Sequence, residues 1–186
     1  MIACMLTRLR FWWCLLDKGD LMFVVAFVCV FVVLGTIARF AYVDNAERRA
    51  AERRTAELNC LAENVYYEAR GEPLAGQYAV AEVTMNRVAS PLFPHTVCEV
   101  VHAQQFDPIV RRYIGAFSWT EVEPLLDAPY GDSWLRARAV ASAVYDHRRE
   151  KPVANGALYY HATYVSPTWA KTKTRVAKIG SHIFYQ

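Results

Sequence analysis

The fold is decided by CLAENVYYEARGEPLAGQYAVAEVTMNRV, the stretch Cys60–Val88. Its apolar residues recur at three- and four-residue steps, which is the pattern of amphipathic helices. Gly71 and Pro73 interrupt the pattern, because glycine and proline end helices. The stretch therefore predicts one helix that ends just before Gly71 and a second helix over Ala75–Val88.

The remainder of the C-terminal part predicts two more helices and a small β element. Thr96 is expected to cap a short helix, and Asp132 or Ser133 a longer one. The segments Ala157–Val165 and Val176–Tyr185 are rich in aromatic and β-branched residues, so each predicts one extended segment. The inward face of the longer helix is expected to carry Leu135, Ala139, Ala143 and Val144. The predicted class is α+β, mainly α, with a small antiparallel β element.

An apolar run of eighteen residues, Leu21–Ala38, lies between Asp20 and Arg39. As a helix it would be about 27 Å long, close to the thickness of a bilayer core. A cleaved signal peptide would have a shorter apolar region of about 7–15 residues. A buried core helix would show a polar stripe, which this run lacks. The run therefore predicts a single transmembrane helix, extended to residues 21–43.

The charge pattern divides the rest of the chain. The net charge of +3 comes from residues 1–54, because residues 55–186 contain thirteen basic and thirteen acidic residues. A neutral C-terminal part does not favour a nucleic-acid partner. The expected layout is a cytoplasmic segment over 1–20, the membrane anchor, a charged helical stalk over 44–57 and a catalytic domain over 58–186. Basic residues near the span lean weakly towards a cytoplasmic C-terminus.

Motifs for metal and nucleotide chemistry are absent from the sequence. It contains no Gly-rich phosphate loop and no HExxH zinc motif. Its five histidines do not have the paired spacing of zinc ligands. We therefore expect neither a metal nor a cofactor.

Glu68 is the strongest candidate for a catalytic group. It falls in the last turn of a predicted helix, where the helix dipole disfavours a negative charge. Tyr66 and Tyr67 precede it, and desolvation by such neighbours raises the pKa of a carboxyl towards the range of a general acid. Arg70 and Glu72 are placed to form a local ion pair. The alternative is that both glutamates are ordinary surface charges.

Several separated blocks of this sequence resemble the SleB/CwlJ cell-wall hydrolase family. The blocks are Cys60–Val88, FPHTVCEVV, AFSWT, ALYYHATYVSPTWA and KIGSHIFY, and they cover most of 58–185. The resemblance implies a lysozyme- or lytic-transglycosylase-like fold and cleavage of peptidoglycan glycan strands. It also implies that Glu68 is the catalytic acid, protonating the glycosidic oxygen between N-acetylmuramic acid (MurNAc) and N-acetylglucosamine (GlcNAc).

A site with one carboxylate favours a lytic transglycosylase. Glycosidases that add water generally need two carboxyl groups, whereas the C6 hydroxyl of the sugar can attack C1 when one glutamate serves as acid and then as base. Two alternatives stay open: a muramidase that uses Glu68 and Glu72, and a non-catalytic peptidoglycan-binding scaffold.

Further residues of the blocks are expected at the site. The supporting residues are Arg70, Glu72, Gln77 and Asn86. The residues expected to bind the glycan are Tyr67, Trp119, Tyr160, His161, Tyr164 and Trp169, by stacking on sugars or by hydrogen bonding. Plain packing is the alternative for the aromatic residues. The segment Gln104–Thr120 carries an insertion relative to the family, and no catalytic residue is assigned to it.

Cys60 and Cys98 are the two cysteines of the expected catalytic domain. In an oxidising compartment they would form a disulfide, and in the cytosol two buried thiols. Peptidoglycan as substrate requires an exported domain. The expected location is therefore a bacterial inner membrane, which the chain crosses once, with the catalytic domain on the periplasmic side. The lipid bilayer is also an expected partner of the chain.

Overall fold

A computed structural model describes residues 18–107, 111–147 and 151–186 of the chain. The described residues divide into two compact units, one that ends at Ala51 and one over Glu52–Gln186. The predicted cytoplasmic segment over 1–20 lies outside the described residues except for 18–20. Helix α1 (Lys18–Ala69) contributes residues to both units.

The N-terminal half of α1 is long and apolar enough to cross a membrane. Within the described residues it is the one such helix, with a mean hydropathy of 2.9 over its most apolar window. None of that window is buried, whereas the core helix of a soluble protein would be mostly covered. A signal sequence would pass the same test of length and composition. The expected stalk over 44–57 is helical, as part of α1.

The described part of the chain contains three further α-helices: α2 (Leu74–Ala89), α3 (Val97–Val101) and α4 (Gly131–Tyr145). The predicted cap of α3 is confirmed, since Oγ1 of Thr96 accepts a hydrogen bond from the backbone N–H of Glu99. The predicted cap of α4 is wrong. Tyr130 holds that position, and its side chain makes no capping hydrogen bond.

The predicted inward face of α4 is only partly correct. The buried residues are Ala137, Val140, Ala141 and Val144, while Leu135 is 62% exposed. Leu135 lies about 200° around the helix from Ala137, so both cannot face the same neighbour. Ala139 is exposed as well. The buried residues of α4 belong to the same apolar cluster as Leu61 and Val65 of α1.

The described residues also form two small antiparallel sheets. Strands β1 (Gln104–Asp107) and β2 (Arg112–Gly115) pair with each other. Strands β3 (Tyr159–Ala162), β4 (Arg175–Ile179) and β5 (His182–Tyr185) form a sheet in the order β3-β5-β4. The segment predicted as one extended piece is therefore two strands, because Gly180, with a φ of +56°, allows a tight turn between β4 and β5. Short 3-10 helices lie at Ser118–Glu121, Glu123–Leu125 and Thr168–Thr172.

Within the described residues, the core has two apolar clusters. The larger one packs α1 against the other helices through residues such as Leu61, Val65 and Val140. The smaller one, with Phe184 at its centre, packs α2 on the second sheet. A disulfide joins Cys60 to Cys98 and so ties α1 to α3. The α+β, mainly helical class predicted from the sequence is confirmed.

Candidate active site

Glu68 lies in the last turn of α1, one residue before the helix ends at Ala69. Its side chain is part-buried among residues from α2, β3 and the 3-10 helix Ser118–Glu121. Burial raises the pKa of Glu68 above its ordinary value, because the surroundings solvate the charged form poorly. A carboxyl in this environment holds its proton at a higher pH than a surface glutamate does.

Three groups face the Glu68 carboxyl and limit the rise of its pKa. The hydroxyl of Tyr160 donates a hydrogen bond to Oε2 over 3.1 Å. Arg87 supplies a nearby positive charge, and Ser118 contributes hydrogen bonds from its backbone and its side chain. Each of these groups favours the ionised carboxylate. Glu68 can therefore release a proton and remain stabilised as an anion.

Tyr160 is held as a neutral donor. Its burial and the neighbouring Glu68 carboxylate raise the pKa of its phenol well above the ordinary value. Its ring packs edge-on against His182, with centroids 5.2 Å apart, and lies 5.6 Å from the ring of Phe184. Tyr160, predicted to bind substrate, directs its hydroxyl at Glu68.

Arg87 and Ser118 were not predicted as site residues. Arg87 is 8% exposed, donates from Nε to the carbonyl oxygen of Leu158 over 2.8 Å, and packs between the rings of Phe93 and Phe117. Burial lowers the pKa of its guanidinium, although nearby Tyr160 and Glu68 oppose this effect. A charged residue on the apolar stripe of α2 was the signal in the sequence that could have identified it.

Glu72 does not pair with Arg70 as predicted. Its Oε2 accepts the backbone N–H of Ser181 over 2.9 Å, and its Oε1 accepts the Ser181 hydroxyl. Arg70 instead places its guanidinium over the ring of Tyr66, 5.0 Å from the centroid. The buried side chain of Gln77 donates to the backbone carbonyl of Glu72 over 3.0 Å. Glu72 therefore bridges the end of α1 and the β4–β5 turn.

Trp119, which was predicted to bind the glycan, is a core residue. Only 5% of it is exposed, and its Nε1 donates to Oδ1 of Asn64 over 3.0 Å. Its ring stacks on that of Tyr67, with centroids 4.7 Å apart. The Tyr67 hydroxyl donates to the carbonyl oxygen of Asp127 over 2.9 Å. Trp119 thus supports Tyr67, which stays partly accessible.

The remaining predicted residues lie on or beside the second sheet. Trp169 contacts the ring of His161, with centroids 5.6 Å apart. Nε2 of His161 lies 3.0 Å from the Tyr185 hydroxyl, and this contact holds the His161 ring in place. Tyr164 is 86% exposed in the loop after β3. Asn86 donates to the carbonyl oxygen of Ala157 over 3.0 Å, so it fixes the backbone before β3.

Glu68 belongs to no metal-binding cluster of the described residues, and it does not line either of the two cavities that follow. Within 18–107, 111–147 and 151–186, no group of three or more His, Cys, Asp or Glu residues is placed to hold a metal ion. One cavity of about 420 Å³ lies between α1 and α4, and another of about 380 Å³ lies between α2 and α4.

Residues 71–185 match the Cell Wall Hydrolase family. The chain belongs to this family. The match confirms the family resemblance carried by the sequence blocks, and it begins three residues after Glu68. Because the matched region does not include Glu68, we infer its role from its surroundings in this structure.

Two curated relatives are spore cortex-lytic enzymes. That of Halalkalibacterium halodurans is 31% identical over 144 residues, which is 77% of this chain and 39% of the relative. That of Bacillus subtilis is 35% identical over 131 residues, which is 69% of this chain and 37% of the relative. The chain thus spans about two fifths of the length of these relatives.

Two solved structures share the fold. The catalytic domain of the Bacillus cereus SleB protein is 30% identical, with a TM-score of 0.51 over 70% of this chain and 89% of that domain. The catalytic domain of the germination-specific lytic transglycosylase SleB from Bacillus anthracis is 30% identical, with a TM-score of 0.52 over 70% of this chain and 93% of that domain. These matches confirm the fold that the resemblance implied.

Proposed function

We propose that this chain is a peptidoglycan lytic transglycosylase that cuts the β-1,4 bond between MurNAc and GlcNAc with Glu68 as its one catalytic carboxyl. The observation that carries the proposal is the environment of Glu68. Its carboxyl is partly shielded from water, its pKa is raised by burial, and the groups that face it are Tyr160, Ser118 and Arg87. None of these three groups is a second carboxyl.

The reaction needs one proton transfer in each direction. Glu68 donates its proton to the bridging oxygen as the C1–O bond breaks, and that oxygen leaves with the bonding electron pair and the proton. The C6 hydroxyl of the same muramic acid then attacks C1 and returns its proton to the Glu68 carboxylate. The products are a 1,6-anhydromuramyl end and a free GlcNAc 4-hydroxyl. Tyr160, Ser118 and Arg87 stabilise the carboxylate between the two transfers.

The position of Glu72 argues against a muramidase that uses two carboxylates. Such an enzyme needs a second carboxylate free to activate water or to attack C1. Both oxygens of Glu72 accept hydrogen bonds from Ser181. Only 13% of the Glu72 side chain is exposed.

Analysis of the products tests the proposal and separates its alternatives. Purified sacculi are digested in detergent with the chain of residues 1–186, and new glycan ends are identified by mass spectrometry. We expect 1,6-anhydromuramyl ends with the wild-type chain and none with Glu68→Gln. Reducing muramic acid ends would indicate a muramidase. The absence of any new ends would leave a binding scaffold.

We also propose that the chain is anchored by residues 21–43 in a bacterial inner membrane, with the catalytic domain on the periplasmic side. The exposed apolar face of α1 and the disulfide between Cys60 and Cys98 support this location. The basic residues that follow the span oppose it weakly. Protease treatment of intact spheroplasts should remove a C-terminal tag, and protection of the tag would contradict the proposed topology.

A further inference from the structure

Glu72 lies closer to the β4–β5 turn than it could if a residue with a side chain stood at position 180. Gly180 stands in that turn with a positive φ, and a Cβ atom built there would lie 2.0 Å from Oε2 of Glu72 and 3.0 Å from Cδ of Pro73. Only a glycine therefore permits this approach without displacement. The turn offers its next residue, Ser181, as a double donor to the carboxylate. The sequence and the backbone are both arranged to accept Glu72.

Ser181 in turn connects Glu72 to β3. Its carbonyl oxygen accepts the backbone N–H of Thr163 over 2.7 Å. The following residue, His182, pairs with Ala162 in the β3–β5 ladder, and Tyr160 lies two residues before Ala162 on the same strand. A displacement of the turn is thus transmitted along the ladder to the strand that carries Tyr160.

A side-chain path leads to the same tyrosine. Buried His182 lies between Glu72 and Tyr160, with Nδ1 at 3.8 Å from Oε1 of Glu72 and its ring edge-on to that of Tyr160. Within the described residues, Nδ1 of His182 has no hydrogen bond. Burial lowers the pKa of His182, although the nearby Glu72 charge opposes this effect. A chain of contacts therefore runs from Glu72 through His182 and Tyr160 to Glu68.

We propose that Glu72 is a positioning residue, which clamps the β4–β5 turn to the end of α1 and so holds the Tyr160 hydroxyl against Glu68. This assignment rests on the proposed role of Glu68. It replaces the role of second catalytic carboxylate that the sequence left open for Glu72.

Substitutions at Glu72 distinguish the two roles. Glu72→Ala removes both acceptors of Ser181, and we expect kcat to fall about 10- to 100-fold, the effect of displacing a catalytic group by roughly 1 Å. Glu72→Gln should recover most of this loss, because an amide can accept the Ser181 N–H and donate to its hydroxyl oxygen. A catalytic carboxylate would not be rescued in this way. Glu99→Gln, at an exposed site, is the matched control.

The pH dependence of kcat gives a second readout. Loss of the clamp weakens the Tyr160 hydrogen bond, which favours ionised Glu68, so Glu72→Ala should move the basic limb to higher pH. Tyr160→Phe should produce a similar shift, and the double variant should show no further one. If Glu72→Ala does not fold by circular dichroism, Ser181→Ala should show a smaller shift in the same direction.

Three results would overturn the assignment while leaving the role of Glu68 intact. The first is a Glu72→Gln variant as inactive as Glu72→Ala, which would make Glu72 a reacting carboxylate. The second is wild-type kcat and pH profile in both Glu72→Ala and Ser181→Ala. The third is shifts from Glu72→Ala and Tyr160→Phe that add in full. Failure of the proposed function would appear separately, as full activity in Glu68→Gln.

Discussion

Removal of the Tyr160 hydroxyl should change the pH dependence of cleavage in a defined direction. The hydroxyl donates to Oε2 of Glu68 over 3.1 Å in a part-buried site. A hydrogen bond to a charged group contributes about 1.5–3 kcal/mol. Because this bond favours the ionised carboxylate, its loss in Tyr160→Phe should raise the pKa of Glu68. At about 1.36 kcal/mol per pH unit, the basic limb should move up by about 1–2 pH units.

The same substitution should slow the reaction where Glu68 is fully protonated. The carboxylate that forms as the proton leaves would lack one donor. If about half of the hydrogen-bond energy is expressed in the transition state, kcat on the plateau should fall about 4- to 13-fold.

Release of soluble muropeptides from purified peptidoglycan, followed from acid to alkaline pH, measures both effects. Tyr130→Phe is the matched control, since Tyr130 is 72% exposed at the start of α4. An unchanged basic limb in Tyr160→Phe, or a shift to lower pH, would refute the role assigned to the Tyr160 hydroxyl.

Three further predictions concern stability. Replacing Cys60 and Cys98 with serine should lower the free energy of unfolding by about 4 kcal/mol, because the disulfide closes a separation of 38 residues. Denaturation of the oxidised wild type and of the variant measures this loss, and equal midpoints would contradict the prediction. Thr96→Ala should cost about 1 kcal/mol through loss of the α3 cap, measured in the same way, and no change would show the cap to be dispensable. Folding raises the pKa of Glu68, so its contribution to stability is present at low pH and is lost as the pH rises through the folded value. Glu68→Gln should therefore gain in melting temperature relative to wild type between pH 4 and pH 8, and a constant difference would contradict this.

Local sequence signals predicted the elements around the site. The break at Gly71 and Pro73 correctly placed Glu68 in the last turn of a helix, because it depends only on neighbouring residues. The turn at Gly180 was missed. One glycine within a β-rich run does not show by itself whether the backbone turns, and pairing of β4 with β5 decides it.

The partners of Glu68 were harder to predict, because they come from distant parts of the chain. Tyr160 is 92 residues away from Glu68, and its assignment as a glycan-binding residue missed its contact with the carboxyl. Ser118 was part of a recognised block, yet the larger Trp119 beside it drew the prediction. The fold turns Trp119 into the core and leaves Ser118 facing Glu68. Packing determines which of these two residues faces Glu68, and their spacing in the sequence does not predict it.

The most direct test of a single catalytic glutamate is digestion of sacculi in oxygen-18 water. Attack by the sugar's own hydroxyl adds no water, so the new ends made by the wild-type chain should carry no label, and Glu68→Gln should make no new ends. Heavy oxygen at C1 of the new muramic acid ends would show that water is the nucleophile. That result, or undiminished cleavage by Glu68→Gln, would contradict the mechanism.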